Sequence, residues 1–186
     1  MQTALNAVRR GVLLALIAGI VCLPAISGSA AADPDLLRQV DDRLGAIVAG
    51  IPAIAAETHV RRSLAHATFC LPQNVLGILY YALLQATGGV LGVREMNEMT
   101  IVVTRTPAGA SLGRYVFVSV PLLSERTVRH EYGHAMQGYR HGPFYLLFEG
   151  LTSFVQAAVS IVSPSSAQAY FARWPENEAD RLGGVE

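Results

Sequence analysis

Residues 129 to 137 read Arg-His-Glu-Tyr-Gly-His-Ala-Met-Gln, which sets three ionisable side chains within little more than one helical turn. His130 and His134, four residues apart, project from one face, with Glu131 one position round. A fold that turns this face inward has to compensate the buried charge, and the spacing suits compensation by a metal ion. On a helix, His-Glu-x-x-His lets both imidazoles bind one Zn²⁺ at about 2.0 to 2.1 Å, with the glutamate beside the metal-bound water. Zinc lowers the pKa of that water to about 7, and the carboxylate can take its proton and pass it to a leaving amine. The expectation is a Zn²⁺ site with His130 and His134 as ligands, Glu131 as general base, and peptide hydrolysis as the chemistry.

Local signals support the helix. Ser124 is an N-cap, Glu125 complements the positive helix end, no proline interrupts the segment through Tyr139, and Gly142-Pro143 closes it. Gly133 is the exception, because a mid-helix glycine costs roughly 1 kcal/mol against alanine. Its place between the two histidines predicts that another backbone, or a substrate, passes close by.

A tetrahedral catalytic site needs a third protein ligand. His141 falls one residue beyond the position of the third histidine in HExxHxxGxxH, which on a continuing helix turns its ring about 100° away; it reads as a surface histidine at the helix end. Glu149 interrupts the apolar run Leu-Leu-Phe-Glu-Gly-Leu and needs a partner, as a ligand, a mate for Arg140 or a residue at the site's mouth. Glu176 and Asp180 lie four apart on one helix face after Pro175, so one carboxylate can bind the metal while the other accepts the N–H of a ligand histidine. Glu178 points elsewhere and reads as a solvated charge.

The motif His130-Glu-Tyr-Gly-His134 with the distant Glu176-Asn-Glu-Ala-Asp180 resembles the gluzincin metallopeptidases, above all the group of CAAX-prenyl proteases and bacterial heat-shock peptidases. Ala110-Ser-Leu-Gly-Arg-Tyr-Val-Phe-Val, Gly142-Pro-Phe-Tyr-Leu and Ala179-Asp-Arg-Leu-Gly-Gly are similar to stretches of small bacterial HEYGH proteins. The resemblance implies a zincin-like fold, Glu176 as third ligand and Asp180 behind a ligand histidine. It also implies that a strand preceding the motif helix borders the cleft and adds a peptide by main-chain hydrogen bonds. No residue stands out as donor to the developing oxyanion; His66, Tyr132, Tyr139 and Arg181 are the candidates. The alternative is a zincin-like protein that keeps a metal but serves as a membrane-associated binding or structural partner.

Arg9 and Arg10 precede an uncharged stretch from Gly11 to Ala32 that ends in Ala30-Ala-Ala32. Residues 1–32 therefore read as a secretory signal peptide, or an uncleaved anchor, and the remainder as an exported protein, periplasmic or extracellular. Residues 33–186 suffice for a single domain. The 14 acidic side chains of the whole chain match its 14 basic ones, all arginine, so nothing points to a nucleic-acid partner. Cys70 has no partner cysteine in that domain, which leaves packing and metal to hold the scaffold.

The expected fold is α+β and mainly helical. Residues 34 to 50 and 53 to 68 read as helices, and 75 to 91 as an apolar helix, in the core or in a membrane. Thr100–Arg105 and Arg114–Val120 read as strands of an antiparallel hairpin packed beside the motif helix. Phe144 to Val162 is nearly of bilayer length with Glu149 inside it, so membrane association stands beside a peptide or protein substrate among the expected partners.

Overall fold

The computed structural model describes residues 33–162 and 169–185; the expected signal or anchor at 1–32 lies outside the described residues. In chain order the elements are α1 (Pro34–Gly50), α2 (Ala56–Ala67), α3 (Leu71–Ala86), β1 (Val90–Met96), β2 (Met99–Thr104), β3 (Ala110–Leu112), β4 (Tyr115–Ser119), α4 (Glu125–His141), a π turn (Leu146–Gly150), α5 (Leu151–Val162) and α6 (Glu176–Gly183). The architecture is α+β and mainly helical, around a mixed sheet of strand order β1-β2-β4-β3.

Alternation along β2 explains why that sheet is covered on both faces. Met99, Ile101 and Val103 point, with Val116 and Val118, into a core closed by Val40 and Leu44 of α1 and Val128 and Met136 of α4. Val102 and Phe117 point the other way, against Leu84 and Tyr80 of α3.

The sheet departs from the hairpin expected of residues 100–105 and 114–120. β2 and β4 are neighbours but run parallel. The connection between them contains β3, which pairs antiparallel with β4, so the chain reverses twice and returns in its original direction. The hairpins are instead β3–β4 and β1–β2, the latter turned at Asn97 with φ 55°, a conformation asparagine tolerates better than most side chains. The helix expected to run to residue 91 stops at Ala86, and its last residues become β1.

Among the described residues no single helix is long and apolar enough to cross a membrane. α2 and α3 meet at a bend of 83°.

The motif helix α4 begins as expected. The Ser124 hydroxyl accepts the Thr127 N–H at 3.1 Å, and Gly142, at φ 53°, ends the helix. Antiparallel to it lies α6, and two glycines permit their approach. A Cβ on Gly133 would stand 2.6 Å from the Ala179 carbonyl carbon, and one on Gly183 would stand 2.6 Å from the carbonyl carbon of Arg129. The backbone expected near Gly133 is therefore α6, the element that carries Glu176 and Asp180.

Candidate metal centre

His130 and His134 leave α4 on its α6 side, and Glu176 enters from the first turn of α6. All three are buried, and they are close enough together to hold a metal ion. Glu176 Oε2 lies 3.1 Å from His130 Nε2 and 3.3 Å from His134 Nε2. Donors around a tetrahedral ion with bonds of about 2.0 to 2.1 Å are separated by about 3.3 to 3.4 Å, so Glu176 Oε2 stands at about that spacing from each ring nitrogen, and all three ligand atoms lie within 4.8 Å of one another.

The other ring nitrogens decide what these atoms are. His130 Nδ1 donates to Asp180 Oδ1 at 2.6 Å. Gln137 Nε2 donates to the Pro175 carbonyl at 2.8 Å, which turns Gln137 Oε1 toward His134 Nδ1, 2.8 Å away. An amide oxygen only accepts, so His134 Nδ1 carries the proton and Nε2 presents a lone pair. Two such lone pairs and a carboxylate oxygen lie within 4.8 Å of one another, a donor set that can hold a cation. Glu176 Oε1 has no partner among the described residues.

Without a metal, protons are that cation. Burial disfavours the His130 imidazolium, but Glu176, Glu131 and Asp180 outweigh it and raise its pKa to about 9. His134 moves upward for the same reasons, with burial again opposing Glu176 and Glu131. Glu176 is held well below the ordinary carboxylate range: burial works against the charge, and the two histidines override it.

Glu131 sits under β3. Ser111 Oγ donates to Glu131 Oε2 at 2.8 Å and lies 2.6 Å from the Glu131 carbonyl oxygen. Gly109 makes room for the carboxylate, since a Cβ there would stand 3.1 Å from Glu131 Cδ and closer still to Oε1. The sheet edge beside Glu131, unpaired by any strand among the described residues, thus belongs to β3, which lies between the two strands expected from the sequence and is neither of them.

The remaining candidates are placed apart from the triad. His141 Nδ1 pairs with Glu149 Oε1, so neither is a third ligand and Glu149 has a mate other than Arg140. Arg140 pairs instead with Glu178 at 3.0 Å. Glu178 is not a solvated charge, for it also accepts from Trp174 Nε1 at 3.1 Å and Gln137 Nε2 at 3.3 Å, tying α6 to the residue that orients His134. Behind this layer a cavity of about 740 Å³ is lined by His141, Phe148, Glu149, Trp174 and Glu178 among others.

Of the four candidate oxyanion donors, Tyr132 is engaged by Arg62, His66 packs edge-on against Tyr139 at 5.3 Å, and Arg181 pairs with Glu178 at 3.5 Å. The tyrosine whose hydroxyl feels the triad is Tyr170: it meets Ser153 at 3.3 Å, and burial first, then the nearby Glu176 charge, push its pKa up. No local pattern singles it out. Gln137 was legible only as a departure from HExxHxxG, and Ser111 as one small residue in a turn.

Comparison with protein-family models, with curated proteins and with solved structures finds no match for this chain, so the reading of the centre rests on its own geometry.

Proposed function

We propose that this chain is a zinc-dependent hydrolase of peptide bonds, built on a zincin-like arrangement and working outside the cytoplasm. The observation that carries the reading is the convergence of His130 Nε2, His134 Nε2 and Glu176 Oε2 with both Nδ1 protons already committed to Asp180 and Gln137. A site with two neutral imidazoles and one carboxylate, held by second partners, suits zinc among the biological divalent ions. Bound there, zinc would activate a water and polarise a carbonyl.

The protein's own part is orientation and proton handling. Asp180 and Gln137 hold the rings in the ligating tautomer. Glu131 lies next in sequence to His130, close enough to both histidines to raise their pKa values, and is the group to receive a proton and return it to the departing amine. Ser111 fixes one oxygen of that carboxylate, leaving Oε1 to move the proton. The free edge of β3 suits an extended peptide, whose main chain would pair with the strand. The Tyr170 hydroxyl, 3.3 Å from Ser153 and within the influence of the Glu176 charge, is the group we assign to donate to an oxygen that gains charge.

The test is zinc stoichiometry and hydrolysis of a peptide library by the parent chain and Glu131→Gln. Zinc content should survive the change while cleavage falls at least about 100-fold, the usual scale of a general base. Cleavage that persists in Glu131→Gln would remove Glu131 as the general base, whereas no cleavage by the parent chain, or a biological role indifferent to the change, would leave the binding-protein alternative in its place.

A further inference from the structure

We infer that α3 and the segment after α4 form one face that beds in the acyl layer of a lipid bilayer, lying in the membrane surface without crossing it. This goes beyond the hydrolase reading and does not depend on it.

α3 is inside out for a helix in water. Its polar side chains face the protein: Gln73 donates to the Gly142 carbonyl at 2.6 Å, and Asn74 donates to the His66 carbonyl at 2.6 Å while accepting the Arg114 N–H at 2.7 Å. Apart from Leu84, Tyr80 and Tyr81, which pack on the sheet, its large apolar side chains face outward. Leu71, Val75, Leu76, Ile78, Leu79 and Leu83 are all exposed, Leu79 to 61%. A surface helix of a water-soluble protein has the opposite arrangement.

The face continues past the helix. Phe69, which starts the turn into α3, packs on Gly142, and from there Phe144, Leu147, Phe148 and Leu151 are exposed as well. With Phe69 these are eleven large apolar side chains, each 41% exposed or more, and apolar exposure clustered in this way marks an interaction surface.

The chemistry of the face selects lipid over a protein partner. No Asp, Glu, Arg or Lys occurs from Ser63 to Val93, and the only polar side chain that α3 exposes, Gln85, already donates to the Tyr81 hydroxyl at 2.6 Å. Protein interfaces carry a polar rim and about ten hydrogen bonds; this face offers almost none, as a contact with acyl chains requires. α2 and α3 together have the hydropathy of a membrane segment, broken by the 83° bend. The 16 residues of α3 span only about 24 Å, short of the roughly 30 Å hydrocarbon core, so the helix lies along the bilayer. Phe148 belongs both to this face and to the cavity that it lines with His141, Glu149 and Trp174, which places that cavity at the lipid boundary.

The experiment uses the full chain with Cys22→Ser, carrying a polarity-sensitive fluorophore at Leu79→Cys, Leu147→Cys or, as control, the exposed Arg38→Cys on α1, bound to phosphatidylcholine/phosphatidylglycerol vesicles. Labels at 79 and 147 should shift to the blue and lose most of their emission to spin-labelled acyl chains, with the label at 38 unaffected. Because all three sites are compared in one chain, attachment through residues 1–32 alone would leave 79 and 147 as wet as 38, and that result overturns the proposal. So does shielding of 79 and 147 in lipid-free protein without quenching by lipid, the outcome if a second copy or another segment of the chain covers the face.

Discussion

Gly133→Ala isolates the step on which the metal centre depends, the approach of α6 to α4. The new Cβ would stand 2.6 Å from the Ala179 carbonyl carbon and 2.9 Å from its Cα, and both are backbone atoms that no rotamer change can move. Ordinary carbon contact begins near 3.5 Å, so α6 must retreat by roughly 1 Å. The same retreat carries Glu176 Oε2 from 3.1 and 3.3 Å to about 4 Å from the two ring nitrogens, beyond the spacing of about 3.3 to 3.4 Å that one tetrahedral ion accepts. Overpacking costs about 1–3 kcal/mol, and the alanine returns about 1 kcal/mol of helix propensity. The metal-free protein should therefore lose only about 0–2 kcal/mol. Zinc affinity should fall at least about tenfold, the lower end of what is lost when a ligand's supporting partner alone is disturbed. Gly138→Ala on the same helix is the control: its nearest neighbours stand at 3.6 Å or more, so it should gain helix propensity and keep zinc. Zinc competition against a chelator and denaturant unfolding of the metal-free proteins measure the two quantities. Undiminished zinc affinity in Gly133→Ala would refute the claim that the α4–α6 spacing sets the centre.

Glu176→Ala should abolish stoichiometric zinc while Glu149→Ala retains it, and swapped losses on elemental analysis would reassign the third ligand. Gln137→Leu should weaken zinc about 10–100-fold by freeing the His134 tautomer; an unchanged dissociation constant would show that Gln137 only packs. The pH dependence follows from His130, whose folded pKa of about 9 lies above the unfolded value near 6.5. In metal-free protein that proton stabilises the fold fully below about pH 6.5, and its contribution is lost as pH rises through about 9. Zinc displaces the proton, so the rise in Tm on adding zinc should grow between pH 6.5 and 9; a flat or shrinking increment in thermal melts would contradict the coupling.

What could be read without coordinates was local. Ser124, Glu125 and Gly142 bound α4 by capping groups within one turn of the residues they serve. The four-residue spacings of His130 to His134 and Glu176 to Asp180 follow from the pitch of a helix. Even the oddity of Gly133 could be recognised from propensity alone, because the cost of a glycine in a helix does not depend on what surrounds it.

What the tertiary structure decided was which of these local pieces meet. The chain's β-branched runs announce strands, but whether β2 and β4 run parallel depends on how many times the connection turns, and β3 supplied the extra reversal. Val90–Met96 lost its identity at the end of an apolar run whose helix ends at Ala86. Gln137 reaches the Pro175 carbonyl 38 positions away, and Ser111 reaches Glu131 across 20; neither bond leaves a mark in local spacing. The motif by itself determined that two imidazoles would share a helix face with a carboxylate one position round. Only the packing of α6 on α4 made them a group that can hold a metal ion, because the third donor, Asp180 behind His130 and the Pro175 carbonyl that orients Gln137 come from residues distant in sequence, and interlocking glycines hold them in place.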